Sequence, residues 1–215
     1  MKAVLSWSGG KDSCYAAMQA LKQGIQPTVL LNMMNENGRV SRSHGLTTSI
    51  LAQQAQQIGV PLVGIPATWN AYESKYIQAL QDIKQTYAVE AVVFGDIDLA
   101  PHREWEEKVC EQAQLQAVLP LWQHNRLTLV HAMLGEGMQC VIVSCNTLMG
   151  VDFLGKTLDT SVIEALVALG VDPCGENGEF HTVVVDCPLF AQPIQLPNYR
   201  KEVYQDYCFL VWEED

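Results

Sequence analysis

Basic residues are scarce in this chain. Thirteen lysines and arginines stand against 24 aspartates and glutamates, for a formal net charge of −11. So acidic a surface offers a long polyanion few phosphate contacts, which disfavours nucleic acid as a partner. No stretch approaches the ~20 consecutive apolar residues of a membrane span, and the longest uncharged runs, such as Cys140–Val151, include polar residues. No membrane association is expected. The opening Lys2-Ala3-Val4-Leu5 reaches Ser8-Gly9-Gly10 too soon for the apolar core of a secretion signal, so a cytoplasmic location is the default expectation. The seven cysteines (14, 110, 140, 145, 174, 187 and 208) include no C-x-x-C pair. An odd, scattered set argues against a disulfide framework or a zinc site. Internal repeats and low-complexity segments are absent as well.

What is present is apolar and ordered by position. Hydrophobic residues make up 48% of 215, ample for one sizeable core or for a larger and a smaller domain. Up to Trp122, apolar runs alternate with helical stripes. Ala3–Trp7, Thr28–Met34, Pro61–Pro66, Ala91–Phe94 and Val118–Trp122 read as strands. A stripe of Cys14, Ala17, Met18 and Leu21, closed by Gly24, and the segments Thr47–Ile58, Ala71–Tyr87 and His102–Gln114 read as helices. Strands that are apolar throughout predict a parallel, doubly wound sheet covered on both faces. Beyond Trp122 the pattern predicts helices at Asn125–Leu134 and Thr160–Leu169, and strands at Cys140–Cys145, Thr182–Val185 and Tyr207–Trp212. The expected organisation is an α/β fold with a boundary near 123: residues 1–123 bind the nucleotide, and 124–215 form a smaller α/β domain for the acceptor.

Ser6-Trp7-Ser8-Gly9-Gly10-Lys11-Asp12-Ser13 joins the first strand to the first helix. Two glycines permit a tight turn close to an anion, and the helix start supplies unpaired N–H groups and a favourable dipole. Ser8 and Ser13 add hydroxyls, and Lys11 adds positive charge. Asp12 is out of place in a purely anion-attracting loop, which suggests that it orients a metal or an amide. The pattern is not a Walker A loop, because Asp12 follows Lys11 and position 6 is Ser. A plain turn with Ser/Asp capping is the alternative.

Ser8–Ser13 resembles the S-G-G-x-D-S hallmark of the PP-loop ATP pyrophosphatase superfamily. Further segments resemble its diphthine–ammonia ligase family: Gly95-Asp96-Ile97, His102-Arg103-Glu104-Trp105, Pro120-Leu121-Trp122, Gly155-Lys156 and, most specifically, Gly175-Glu176-Asn177-Gly178-Glu179-Phe180-His181-Thr182. The resemblance covers nearly the whole chain. It implies an adenine-nucleotide alpha-hydrolase-like (HUP-like) fold, ATP with Mg²⁺, adenylation of a carboxylate with release of pyrophosphate, and displacement of AMP by ammonia. Two segments depart from the eukaryotic and archaeal ligases. Ser41-Arg42-Ser43-His44-Gly45 stands where those ligases tend to carry a serine–arginine–methionine–phenylalanine–histidine-like stretch, and Asp96–Trp105 looks more like bacterial-type relatives. That implies an acceptor other than diphthine, either a small molecule or a modified residue. Two other functions stay open: a sulfur transferase acting on a nucleobase, which would want paired cysteines and a basic surface, and a non-catalytic nucleotide sensor.

The candidate catalytic residues are Lys11, Asp12, Asp96, Glu176, Glu179 and His181. The candidate nucleotide-binding set is Ser6, Ser8, Gly9, Gly10, Lys11, Asp12, Ser13, His44, Gly95 and Arg103, with Asp12 and Asp96 for the metal. Asp96 ends a parallel strand, where a carboxylate suits Mg²⁺ or a cation; a turn or cap is its alternative. Arg103 could grip a phosphate or carboxylate bidentately. Glu104, Glu106 and Glu107 read as a solvated helix start, Trp105 as a core anchor, and Cys174 as structural. Glu176, Glu179 and His181 could bind ammonium or act as base, although an exposed acidic turn would show the same residues. A homodimer is left open.

Overall fold

The computed structural model describes residues 1–213. Five parallel strands form the first sheet: β1 (Lys2–Ser6), β2 (Gln26–Met34), β3 (Leu62–Pro66), β4 (Ala91–Val93) and β5 (Gln116–Val118), in the order β3-β2-β1-β4-β5. The helices between them are α1 (Lys11–Lys22), α2 (Thr48–Ile58), α3 (Tyr72–Tyr87) and α4 (Ala100–Ala113). The chain winds outward from β1 to β3, then returns to β4 on the other side. The carboxyl ends of β1 and β4 therefore flank the point where the winding direction switches, the usual ligand crevice of such sheets.

Three helix starts have a clear local cause. Thr47 caps α2 by accepting from Ile50 N, and Gly59 ends it at φ +78°. Asn125 caps α5 (Arg126–Gly135) through Thr128 N, and Asp159 caps α6 (Thr160–Ala168) through Val162 N. The fifth strand lies earlier than its apolar run suggests. Pairing ends at Val118, and Pro120–Gln123 form a turn, because Pro120 has no N–H to give a ladder.

The second half contributes an antiparallel sheet, β7 (Phe180–Asp186), β6 (Gln139–Asn146), β9 (Tyr207–Trp212) and β8 (Tyr199–Tyr204), in the order β7-β6-β9-β8. α1 lies between the two sheets and is buried nearly all round. Small residues there, Cys14, Ala16, Ala17 and Ala20, allow the close approach. The sequence stripe included Leu21, which is exposed instead. One apolar core spans α1, α2, an inner face of the parallel sheet and the antiparallel sheet; a second lies under α3 and α4. Among the described residues no helix is long and apolar enough to cross a membrane.

Candidate active site

Residues from both halves line a cleft of ≈ 700 Å³ over the carboxyl ends of β1 and β4. Its floor is the loop after β1. There Gly10 N donates to Ser8 Oγ (3.2 Å), Ser8 and Ser13 hydroxyls meet at 3.0 Å, and Ser13 Oγ donates to Gly10 O (3.1 Å). This closed ring holds the turn tightly. The glycines serve packing as well as the turn. Gly9 sits at φ +84°, and a Cβ on it would lie 2.6 Å from Leu46 Cδ1. A Cβ on Gly10 would lie 2.6 Å from His44 Nε2 and 3.1 Å from Thr182 O.

Lys11 borders the cleft but is engaged within the fold. Its N–H donates to Thr182 Oγ1 at 3.1 Å, and its ammonium bonds Asp12 Oδ2 at 2.7 Å and the Cys174 carbonyl. The side chain is 3% exposed and lies over the Phe180 ring. The residue staples the loop to the second half. Burial alone would pull the amine down, but Asp12, then Cys174 and Glu176, outweigh it and hold it above its ordinary value. Burial conversely pushes the Asp12 carboxyl up against the pull of Lys11. An ammonium at 2.7 Å and a carboxyl side chain 27% open to the cleft favour the ionic form at neutral pH.

After β4, Gly95 lets the chain press against this loop. A Cβ there would lie 2.7 Å from both Asp12 C and Ser13 N. Asp96 Oδ1 then meets His102 Nδ1 at 2.7 Å. Burial pushes Asp96 up, but hydrogen bonds from His102 and Glu106 outweigh it and hold it below the usual carboxylate range. Helical spacing puts His102, Trp105 and Glu106 on the cleft face of α4. Arg103 falls on the other face, where it pairs with Glu107 (2.7 Å) and lies over Trp122. The structure therefore does not bring Arg103 to the cleft.

Glu106 overturns the reading of a solvated helix start. It is 3% exposed and lines the cleft. Burial, then the hydrogen bond to Asp96, pushes its carboxyl up to about 11. A carboxyl raised so far is a neutral acid at pH 7, able to donate to Asp96, and its Oε2 is buried without a hydrogen-bond partner. A carboxyl whose folded pKa is raised contributes stability below its unfolded pKa, and that contribution is lost as pH rises toward the folded value. Glu106→Gln keeps a donor and cannot ionise. The melting temperature of this variant should exceed that of the wild type by roughly 5 °C at pH 8, and the gap should close near pH 4.5. A gap that does not depend on pH would count against the neutral acid.

From the second half, Glu176 and His181 reach the same cleft. Glu176 Oε1 accepts from Ile97 N at 3.1 Å, beside Asp96. Burial, then the Asp12 charge, raises its carboxyl to about 7. His181 lies 4.5 Å from His44, ring centre to ring centre. Burial, then Lys11, lowers His181 to about 4. Burial, His181 and Lys11 lower His44 likewise, so both rings are neutral at pH 7. Glu179 is not brought to the cleft. Its carboxylate accepts from Asn177 N and Nδ2, both at 3.1 Å, and closes its own turn. Cys174 borders the cleft, its thiol donating to Arg126 O and raised by burial to about 12.

The opposite wall is aromatic. Tyr76, with its hydroxyl 3.0 Å from Ser6 Oγ, packs with Tyr72 and Trp105. Arg42 lies over the exposed Trp69 and bonds the Ala67 carbonyl. Trp105, half-buried, packs against the second core as read and also walls the cleft, its indole donating to Glu73. Sequence reasoning also missed Gln54, which is wholly buried beneath the loop. For a metal, Asp12 fits best, because its Oδ1 is buried and unpartnered, while Asp96 is already engaged by His102 and Glu106. Among the described residues no group of three or more His, Cys, Asp or Glu is placed to hold a metal ion.

Residues 1–117 match the diphthamide synthase N-terminal domain, and residues 126–214 match the diphthamide synthase C-terminal domain. The chain belongs to the diphthamide synthase family. The diphthine–ammonia ligase of Homo sapiens is 30% identical over 97% of this chain and 88% of its own length. The one from Mus musculus is 28% identical over the same shares. A solved structure from Methanocaldococcus jannaschii, titled a predicted subunit of tRNA methyltransferase, is 20% identical with a TM-score of 0.48. It covers 87% of this chain and 98% of that one. In this diphthamide synthase family member the loop after β1 comes from the first matched segment, and Glu176 and His181 come from the second.

Proposed function

We propose that the chain is an ATP-dependent, amide-forming ligase. A carboxylate oxygen of the acceptor attacks the α-phosphorus of ATP and pyrophosphate leaves. Ammonia then attacks the acyl carbon of the adenylate, and AMP leaves with the bond to oxygen. The observation that carries this reading is the meeting of Ser8, Asp12 and Ser13 with Glu176 and His181 in one ≈ 700 Å³ cleft. That size suits a nucleotide-sized ligand.

In this reading Ser8 and Ser13 hydroxyls and the start of α1 hold the departing pyrophosphate. Asp12 offers its free oxygen to the Mg²⁺ that accompanies the triphosphate. When bound, that ion neutralises charge on the phosphate oxygens. His44 and His181, being neutral, hydrogen-bond without adding charge. Glu176 faces the acceptor side and takes the proton released as the nitrogen attacks. Arg103 and Glu179 have no part in the proposal, and Lys11 acts by fixing the loop.

The test is product analysis with ATP, ammonium and a panel of carboxylates. AMP and pyrophosphate should form in step with acceptor consumed; ADP and phosphate as the only products would overturn the reading. A base with a carboxyl at about 7 must lose its proton to act, so the rate should climb through pH 7 and level off above it. Glu176→Gln should remove that rise and lower the plateau about a hundredfold, with ATP binding retained. An unchanged pH profile in Glu176→Gln would assign the proton to another group.

A further inference from the structure

Gln54 is a polar side chain with no access to solvent, yet each of its hydrogen-bonding groups is engaged. Its Oε1 accepts from Trp7 Nε1 at 2.8 Å. Its Nε2 donates to Gly9 O at 3.0 Å and to Val184 O at 2.8 Å. One amide therefore ties the end of β1, the loop above it and β7 of the antiparallel sheet. Val184 N completes the clasp by donating to Gly9 O at 2.9 Å.

The consequence lies in the peptide that follows Gly9. A peptide unit is planar, so fixing the Gly9 carbonyl fixes the direction of the Gly10 N–H. That N–H donates to Ser8 Oγ, which meets Ser13 Oγ. Gly9, at φ +84°, is the point where the backbone would otherwise swing most freely. We propose that Gln54 is the positioning residue of the nucleotide site, holding Ser8 and Ser13 in place through the Gly9–Gly10 peptide. The inference rests on the proposed ATP reading and deepens it. It also makes β7 part of the phosphate site rather than only a neighbour.

α2 supplies its own control. Gln57 Oε1 accepts from Gln192 N at 3.0 Å, so this residue too joins α2 to the second half, without touching the loop. The experiment is calorimetric titration of the full chain with MgATP and, separately, with AMP, alongside thermal melting. Gln54→Met should weaken MgATP binding roughly tenfold through loss of the donors to Gly9 O in the loop and Val184 O in β7, and change AMP binding by less than about twofold. Gln57→Met should lower the melting temperature and leave both affinities unchanged. Equal affinity of Gln54→Met and wild type for MgATP, or equal loss for MgATP and AMP, overturns the positioning role. Wild type that binds no MgATP overturns the ATP reading and this inference with it. Should Gln54→Met not fold, the same comparison in Gln54→Glu decides, since that variant keeps the volume and the Trp7 bond but can donate at most once.

Discussion

The Asp12→Asn variant is expected to form AMP about a thousandfold more slowly than wild type and to melt about 10 °C lower. The two losses have different causes. The melting point falls because the Lys11 ammonium, 3% exposed and 2.7 Å from Asp12, loses its counter-charge. A buried cation without its partner costs about 3–5 kcal/mol. The rate falls because the unpartnered Oδ1 of Asp12, directed to the metal in the proposed mechanism, becomes part of a neutral amide. A second substitution separates the two. Lys11→Met in the Asp12→Asn background removes the stranded cation, so most of the melting temperature should return while the rate stays low. If rate and melting temperature recover together, Asp12 acts only by anchoring Lys11. Asp12→Asn turnover within about threefold of wild type would remove the metal-binding role.

The parallel half was legible because its strands are short apolar runs separated by stripes and turn residues, and nothing else competes with that pattern. Where another principle intervened, the reading slipped. Leu119-Pro120-Leu121-Trp122 is as apolar as a strand, but proline cannot join a ladder, and β5 stops at Val118. β8 escaped notice because all six of its residues are exposed, leaving no buried face to mark a period of two. Within the site, residues carried by a contiguous motif were legible, as with Ser8–Ser13, Gly95-Asp96, Glu176 and His181. Those that act from a helix face were not. Gln54 and Glu106 look like surface residues of an amphipathic helix, and only tertiary packing buries them. Conversely, Arg103 and Glu179 sit inside matching motifs yet face away, since adjacent helix positions point in different directions and a turn can close on its own carboxylate. A motif gives proximity in sequence, whereas the cleft selects by direction.

Gly95→Ala should lower AMP formation about a hundredfold, although it adds only a single methyl beyond the carboxyl end of the interior strand β4 and changes no charge. The added carbon would sit 2.7 Å from Asp12 C and Ser13 N. Both are backbone atoms at the start of α1, so no side chain can rotate to make room. Either β4 or the loop must move, and α1 is fixed on its other side by Thr182 and the Gly9 clasp. The strain falls on the Asp12–Ser13 turn. Overpacking of this kind costs about 1–3 kcal/mol, so the protein should still fold at 25 °C. A displacement of about 1 Å at the reacting groups is enough for the expected loss of rate. Gly64→Ala in β3 is the matched control. Its added carbon would meet only Met34 Cγ at 3.4 Å and Met34 Sδ at 3.6 Å, a flexible side chain that can yield. Melting curves and turnover measured for both variants decide the matter. A Gly95→Ala enzyme that turns over like Gly64→Ala would mean that the β4 end does not set the loop, and that Gly95 is present only as a turn residue.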